Sequence, residues 1–189
     1  MNTLISVLAE MIDWNPIEMI NTDFEIPYLA GYSLDGHTIY IDKRLPRYYK
    51  IKNGRIIDIF KYLAWHEAAE KFLEDGTLTL TQQQWKDFND WLNHKKITLR
   101  TGYSYPYAHE LATGLERYVV EKDDIDWDEY QNYMLKMVKK LEKFSGPLPL
   151  DLDTKPEKDS HDRYRYQKIK KIQKEQKNDN RDTVTRGRS

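Results

Sequence analysis

His66 and Glu70 are the pair of residues whose types and spacing indicate chemistry most directly in this 189-residue sequence. They are four positions apart, so on an α-helix their side chains lie one above the other on one face. Imidazole nitrogens and carboxylate oxygens both bind divalent metal ions. The sequence contains no cysteine, so any transition-metal site must be built from such groups. The spacing therefore predicts a metal-binding helix.

Glu67 follows the first of these residues and points around the same helical edge. In the H-E-x-x-H pattern of metalloproteases, the first and last positions bind zinc and the glutamate polarises the water. Glu67 is thus the predicted general base, with His66 and Glu70 as metal ligands. A glutamate in place of the second histidine adds negative charge and makes the site harder, which opens it to divalent ions other than zinc.

A second predicted helix carries residues that complete such a site. His109, Thr113 and Glu116 fall on one helical face, at spacings of four and three. We expect His109 to be the third protein ligand, which leaves one position for water, as in catalytic zinc sites. Glu116 is either a fourth ligand or a hydrogen-bond partner that orients a ligating histidine, and Thr113 lies beside it.

Another interpretation of the same residues needs no metal. Glutamate and histidine are ordinary helix residues, and a short motif of this kind also arises by chance. Glu67 and Glu70 then lie on a solvated face and pair with Lys71 and other basic residues. Two helices that each carry an inward histidine and carboxylate favour the metal site, because one cluster can complete the other.

Three segments together resemble a group of small, mostly uncharacterised bacterial and phage proteins. The first is a strand that ends in Tyr40-Ile41-Asp42. The second is His-Glu-x-x-Glu at His66 to Glu70, and the third is Ala-His-x-x-Ala-Thr-x-x-Glu at Ala108 to Glu116. The resemblance covers the stretch from Gly31 to Glu116, about half of the chain.

That resemblance implies a zincin-like fold, in which an edge strand lies across the active-site helix, and a metallopeptidase-like activity. It also implies a role at the site for Asp42 and Arg44, with Asp42 placed behind the ligands or as an additional ligand. It gives no substrate.

The elements that must position these side chains follow from hydrophobic periodicity and capping signals. Helical spacing of apolar residues predicts helices over residues 3–13, 55–74, 81–93, 105–121 and 126–144. A β-branched and aromatic run at 38–42, preceded by the turn Leu34-Asp35-Gly36-His37, predicts a hairpin with residues 28–33. The expected fold class is α+β and mainly α-helical, with zincin-like helices, a small hairpin or edge sheet, and a basic C-terminal tail.

The chain divides into an acidic body and a basic tail. Residues 151–189 hold 12 Lys and Arg against 8 Asp and Glu, and few large apolar residues. Residues 1–150 are therefore the expected metal-binding domain, and 151–189 a charged, largely flexible tail with helix expected around 160–177. Basic residues interleaved with tyrosine, as in Arg163-Tyr164-Arg165-Tyr166, can engage single-stranded nucleic acid. The alternative for the tail is a solvated, mixed-charge extension.

Composition and segment lengths exclude several classes. Without cysteine there is no disulfide and no thiolate ligand. No apolar run approaches the roughly 20 residues that cross a bilayer, so no membrane partner is expected. Residues 1–13 carry neither the basic start nor the cleavage site of a secretory signal. The expected compartment is the cytoplasm, of a bacterium or of a host cell if the gene is a phage's.

These observations predict a metal-dependent hydrolase. We expect His66, Glu70 and His109 to bind a divalent ion, with zinc the first choice, and Glu67 to take a proton from the metal-bound water. A peptide or protein substrate is expected to add as a strand to residues Thr38–Asp42. The alternative is a non-catalytic zincin-like protein that binds nucleic acid or a protein, with a structural metal or a polar network in place of a catalytic centre.

Overall fold

The fold is a mainly helical α+β arrangement, as the sequence predicted. The computed structural model describes residues 16–74, 90, 104–141, 143–144, 146–153 and 167–178. A 3-10 helix at Pro16–Met19 comes first. The strands are β1 (Ile20–Asn21), β2 (Ala30–Tyr32), β3 (Ile39–Ile41), β4 (Tyr48–Lys50) and β5 (Ile56–Asp58). The helices are α1 (Ile59–Glu74), α2 (Ser104–Lys122), α3 (Trp127–Leu141) and α4 (residues 167–178).

A three-stranded sheet in the order β1-β3-β2 carries α1 on one face. β2 and β3 form the predicted antiparallel hairpin, with Gly31 opposite Tyr40, and β1 pairs with β3 in parallel. Because β3 is the central strand, both of its edges are already hydrogen-bonded. The prediction that Thr38–Asp42 accepts a substrate strand was therefore wrong, since the edge strands are β1 and β2.

β3 is buried on both faces, and this explains its continuous β-branched and aromatic composition. Ile39 and Ile41 contribute to the main core with the helices, whereas Tyr40 between them packs into a second apolar cluster on the opposite face. The second cluster also contains residues from the C-terminal part of the chain: Phe144, Leu148, Leu152 and Ile169.

Two described parts of the predicted tail, residues 151–153 and α4, are packed against the body. Ser33 bridges to Leu152, Asp153 N–H donates to the Tyr32 carbonyl at 2.8 Å, and Ile169 on α4 is fully buried. Gln173 on α4 donates to the carbonyls of Pro149 and Leu152. One apolar helix face suffices for this packing, although the average composition of 151–189 is polar.

Ile56–Asp58 form a strand, which corrects the predicted start of the long helix at residue 55. β4 and β5 make a hairpin whose turn contains Asn53-Gly54, with Gly54 at φ 89° in the left-handed region that glycine favours. Asp58 then caps α1, because its Oδ1 accepts the N–H of Phe60 at 3.1 Å. α1 therefore begins at Ile59.

A tight connection joins α2 to α3. Asp124 adopts φ 56°, and the Ile125 N–H reaches back to the Val120 carbonyl at 3.2 Å, which closes the C-terminus of α2. Asp126 Oδ1 accepts the N–H of Glu129 at 2.7 Å, which is the predicted cap of α3. The two helices are confirmed, although α3 ends at Leu141 rather than at 144.

The predicted helices over 3–13 and 81–93 lie outside the described residues, except for Asp90. Across the parts of the chain that the structure describes, no helix combines the length and the apolar character needed to cross a bilayer.

Candidate metal centre

Close packing of α1 against α2 builds the site. Small residues lie where the two helices meet, and all four are buried: Ala64, Ala68, Ala108 and Ala112. Small side chains let helix backbones approach closely, so larger side chains beside them must converge. His66, Glu67 and Glu70 from α1 and Glu116 from α2 are accordingly all buried at this interface.

Three potential ligand atoms, from His66, Glu70 and His109, converge at one point. His66 Nε2 lies 3.2 Å from His109 Nδ1 and 3.3 Å from Glu70 Oε2. His109 Nδ1 lies 2.7 Å from Glu70 Oε2. The group is close enough to hold a metal ion. His66 and Glu70 are buried, whereas the His109 side chain is 49% exposed, so the point opens to solvent on one side.

Two of these three separations match the ligand edges of a small tetrahedral ion. Ligand atoms about 2.0–2.1 Å from a tetrahedral ion are about 3.3 Å apart, which fits both distances from His66 Nε2. The Glu70–His109 distance is that of a hydrogen bond, and it must widen by about 0.6 Å to admit the ion. A shift of that size is within reach of a half-exposed imidazole.

Glu116 orients His66 from behind. Its Oε2 lies 2.9 Å from His66 Nδ1, so Nδ1 donates to the carboxylate and Nε2 faces the convergent point. The other oxygen, Oε1, accepts the Tyr130 hydroxyl at 2.6 Å. Burial, together with the charge on Glu116, raises the pKa of Tyr130 well above its ordinary value, so this hydroxyl remains a donor. The arrangement is a carboxylate–histidine pair of the kind that supports metal ligands.

Glu70 is held in a similar way. The Tyr32 hydroxyl lies 3.4 Å from Oε1, and Oε2 is the atom that faces His66 and His109. Each of the two carboxylates therefore directs one oxygen to an imidazole and the other to a tyrosine. Sequence reasoning did not assign Tyr32 or Tyr130 to the site. The available signal was that Tyr130 lies on the apolar stripe of α3, where a buried hydroxyl requires a partner.

The charge balance at the site favours a cation. Burial opposes a charge on His66, but hydrogen bonds to Glu116 and Glu70 and the charges of Glu116 and Glu67 outweigh it and raise the pKa of His66 to about 10. Without an ion, His66 therefore carries the positive charge itself. A divalent ion bound at Nε2 replaces that proton.

A groove of about 290 Å³ leads from the surface to this point. Glu67 lines it together with His66, His109 and Glu116, so its carboxylate shares the space in which a substrate would contact the ligands. Thr113 also lines the groove, but its hydroxyl donates to the backbone carbonyl of His109 at 2.8 Å. Thr113 therefore steadies the helix below His109 and is not placed as a ligand.

Asp42 lies away from the site, which corrects the role that the resemblance implied. It is fully buried, and its Oδ2 accepts the N–H of Ile26 at 3.0 Å. Both oxygens also accept hydrogen bonds from Arg44, at 2.7 to 2.9 Å. Arg44 in turn donates to the carbonyls of Leu141 and Lys143, so this pair fastens the C-terminus of α3 to the sheet.

Of the eight residues that the sequence singled out, six line the groove or converge beside it: His66, Glu67, Glu70, His109, Thr113 and Glu116. Asp42 and Arg44 are the exceptions. Comparison of the chain with known proteins found no match among family profiles, curated proteins or solved structures.

Proposed function

We propose that this protein is a zinc-dependent hydrolase, a zincin-like peptidase with a His-His-Glu ligand set. The observation that carries the proposal is the set of distances joining His66 Nε2, His109 Nδ1 and Glu70 Oε2. Two histidines and one glutamate are a ligand set of catalytic zinc sites, in which a fourth position stays open. The exposure of His109 and the adjoining groove favour an open, catalytic site over a closed, structural one.

The residues around the ligands have distinct roles in this proposal. The ion supplies Lewis acidity, which lowers the pKa of a water molecule and polarises a carbonyl. Glu67 takes the proton from the attacking water as general base. The water oxygen bonds to the carbonyl carbon of the substrate, the C–N bond breaks, and Glu67 delivers the proton to the leaving amine. Glu116 and Tyr130 keep His66 in the tautomer that leaves Nε2 available.

The backbone of β2 offers a place for an extended substrate. Leu29 and Ser33 direct their hydrogen bonds to the residues that flank β3, so the alternate residue Ala30 directs its N–H and C=O to the other edge. Further along that edge, the Tyr32 carbonyl already accepts the N–H of Asp153. Ala30 also lines the groove. A peptide that adds as a strand at Ala30 lies across α1 and brings a carbonyl to Glu67 and the ligands.

A second candidate function is a non-catalytic binding protein. The observation that favours it is that the cluster contains a positive charge even without an ion, because the imidazolium of His66 lies between Glu116 and Glu70. The outer face of α4 also carries exposed lysines, which suit a nucleic-acid backbone: Lys168, Lys170, Lys171, Lys174 and Lys177. Salt-sensitive binding of single-stranded DNA by a protein that contains no metal supports this candidate.

Elemental analysis of the purified protein tests the zinc site. We expect about one zinc ion per chain, and loss of the ion in His66→Ala and in His109→Ala. The matched control is His37→Ala, which changes a histidine outside the ligand group. Equal metal content in all four proteins contradicts the proposed ligands. Melting with and without a chelator then separates a structural ion, whose loss strongly destabilises the fold, from a catalytic one.

A further inference from the structure

The walls of the groove differ in character from its floor. Segment 27–30 forms one wall and α3 forms the other. The walls are largely apolar, with Pro27, Leu29, Trp127, Met134, Leu135 and Val138 among the lining residues. The reacting groups are thus approached through an apolar passage, which is typical of sites that recognise an apolar part of a ligand.

One row of α3 faces this passage and is not used by the core. Gln131, Leu135 and Val138 are spaced by four and three and all line the groove. Leu135 is 53% exposed and Val138 is 38% exposed, whereas Tyr130 and Met134 on the adjacent row are buried. Exposed aliphatic side chains next to a chemical centre are available for contact with a ligand.

The two walls of the groove carry no charged side chain among the described residues that line it. The charged groups of the lining, Glu67, Glu116 and His66, lie on α1 and α2 instead. A ligand carboxylate or phosphate between the walls would be partly desolvated with no Lys or Arg beside it. The walls therefore disfavour acidic side chains and favour neutral apolar groups.

We infer that the substrate is an extended peptide whose large, uncharged apolar side chain occupies the groove between α3 and segment 27–30. This inference rests on the proposed hydrolase function. The backbone of the peptide pairs with Ala30, and the side chain next to the cleaved bond contacts Leu135 and Val138.

Peptides that differ at a single position test the inference with the zinc-loaded protein. The set is internally quenched and identical except for Leu, Phe, Gly or Asp at that position. We expect kcat/KM for the Leu and Phe peptides to exceed that for the Gly and Asp peptides by about tenfold or more, because a hydrophobic pocket discriminates on this scale. Equal rates for all four peptides, or a preference for Asp, overturn the inference.

Substitutions at Leu135 show whether the groove is responsible. Leu135→Asp should lower kcat/KM for the Leu peptide by about tenfold or more, and Leu135→Lys should make the Asp peptide the better substrate. The control is Leu34→Asp, which changes a leucine of similar exposure, 60%, in the turn after β2. Equal effects of Leu135→Asp and Leu34→Asp count against the groove.

Binding to the zinc-loaded Glu67→Gln variant separates the two proposals. Calorimetry should show tighter binding of the Leu peptide than of the Asp peptide by the same tenfold margin. If this selectivity is present but the wild-type protein cleaves no peptide, the hydrolase proposal fails and the groove assignment stands. If peptides are cleaved without discrimination, the hydrolase stands and the groove assignment fails. If the peptides are neither bound nor cleaved, both proposals fail.

Discussion

Two clusters of buried carboxylates in this molecule solve the same physical problem in different ways. Asp42 is fully buried and is neutralised by the guanidinium of Arg44, two residues away in the chain. Glu70 and Glu116 are also buried, but their hydrogen bonds come from imidazoles and tyrosine hydroxyls. A buried charge requires a counter-charge in both places.

The difference lies in how permanent the positive charge is. A guanidinium remains protonated under all working conditions, so the Asp42 cluster is complete within the chain. An imidazole can exchange its proton for a metal ion, so the Glu70 cluster has two states. The Asp42 cluster stabilises the fold, whereas the Glu70 cluster is suited to bind a cation. Substitutions in the two clusters should therefore have opposite consequences.

The largest effect is expected from Glu67→Gln. Removal of the general base should lower kcat about a thousandfold, because positioned proton transfer contributes on that scale. The zinc content and the melting temperature should remain close to those of the wild-type protein, as measured by elemental analysis and calorimetry. Glu110→Gln, a change on α2 outside the groove lining, is the control and should retain activity. Full activity in Glu67→Gln would remove the base from the mechanism.

Asp42→Ala should have the opposite signature. It leaves Arg44 without its buried partner and should lower the free energy of unfolding by about 3 kcal/mol, as measured in urea. The zinc content per folded chain should not change. Glu121→Ala, which breaks the more exposed Arg117–Glu121 pair, should cost about 0.5 kcal/mol. A loss of zinc without a loss of stability in Asp42→Ala would return Asp42 to the metal site.

Tyr130→Phe tests whether the tyrosine that holds Glu116 supports metal binding at the Glu70 cluster. The variant loses the hydroxyl that holds Glu116 and should weaken zinc binding by about 10- to 100-fold, as second-sphere changes typically do. A competition titration with a coloured chelator measures this affinity. Tyr133→Phe is the matched control, because that ring lies on the same helix and stacks on Tyr49 instead. Equal affinities in the two variants would contradict the role of Tyr130.

The smallest effect is a difference in pH dependence between the two states of the cluster. The pKa of His66 is raised from 6.5 to about 10 in the metal-free fold, so its protonation contributes stability that is complete below about pH 6.5. That contribution is lost as the pH rises towards 10. With zinc bound, His66 carries no such proton, so this part of the pH dependence should disappear. Melting of both forms between pH 6 and 10 measures the difference, and identical profiles would contradict the assigned charge.

Local patterns predicted the residues that lie close in sequence. The spacing of His66 and Glu70 on one helix, and that of His109 and Glu116 on another, follows from helical geometry. The contacts of Tyr32 and Tyr130 with the carboxylates span 38 and 14 residues of chain. The contacts between the two helices span 39 to 50 residues. No local pattern encodes such contacts, so Tyr32 and Tyr130 were not identified from the sequence as site residues.

Two predictions were wrong although the sequence contained a local signal against each: the role of Asp42 at the site and the start of the long helix at residue 55. Arg44, two residues after Asp42, indicated that this carboxylate already had a partner. Asn53-Gly54 between two β-branched and aromatic segments is the usual signature of a tight hairpin, and it marks β4 and β5. The packing of α4 was harder to foresee, because the few apolar residues of a polar segment had to be read as one helical face.

The short connection between α2 and α3 joins the helix that carries His109 and Glu116 directly to the helix that forms one wall of the groove. Tyr130 on α3 touches the groove and holds Glu116, which in turn holds His66. If the site binds an ion as proposed, a ligand that displaces α3 alters the affinity of the site for that ion. By thermodynamic reciprocity, the ion then alters the affinity for that ligand by the same factor, so occupancy of the groove and retention of the metal are linked quantities.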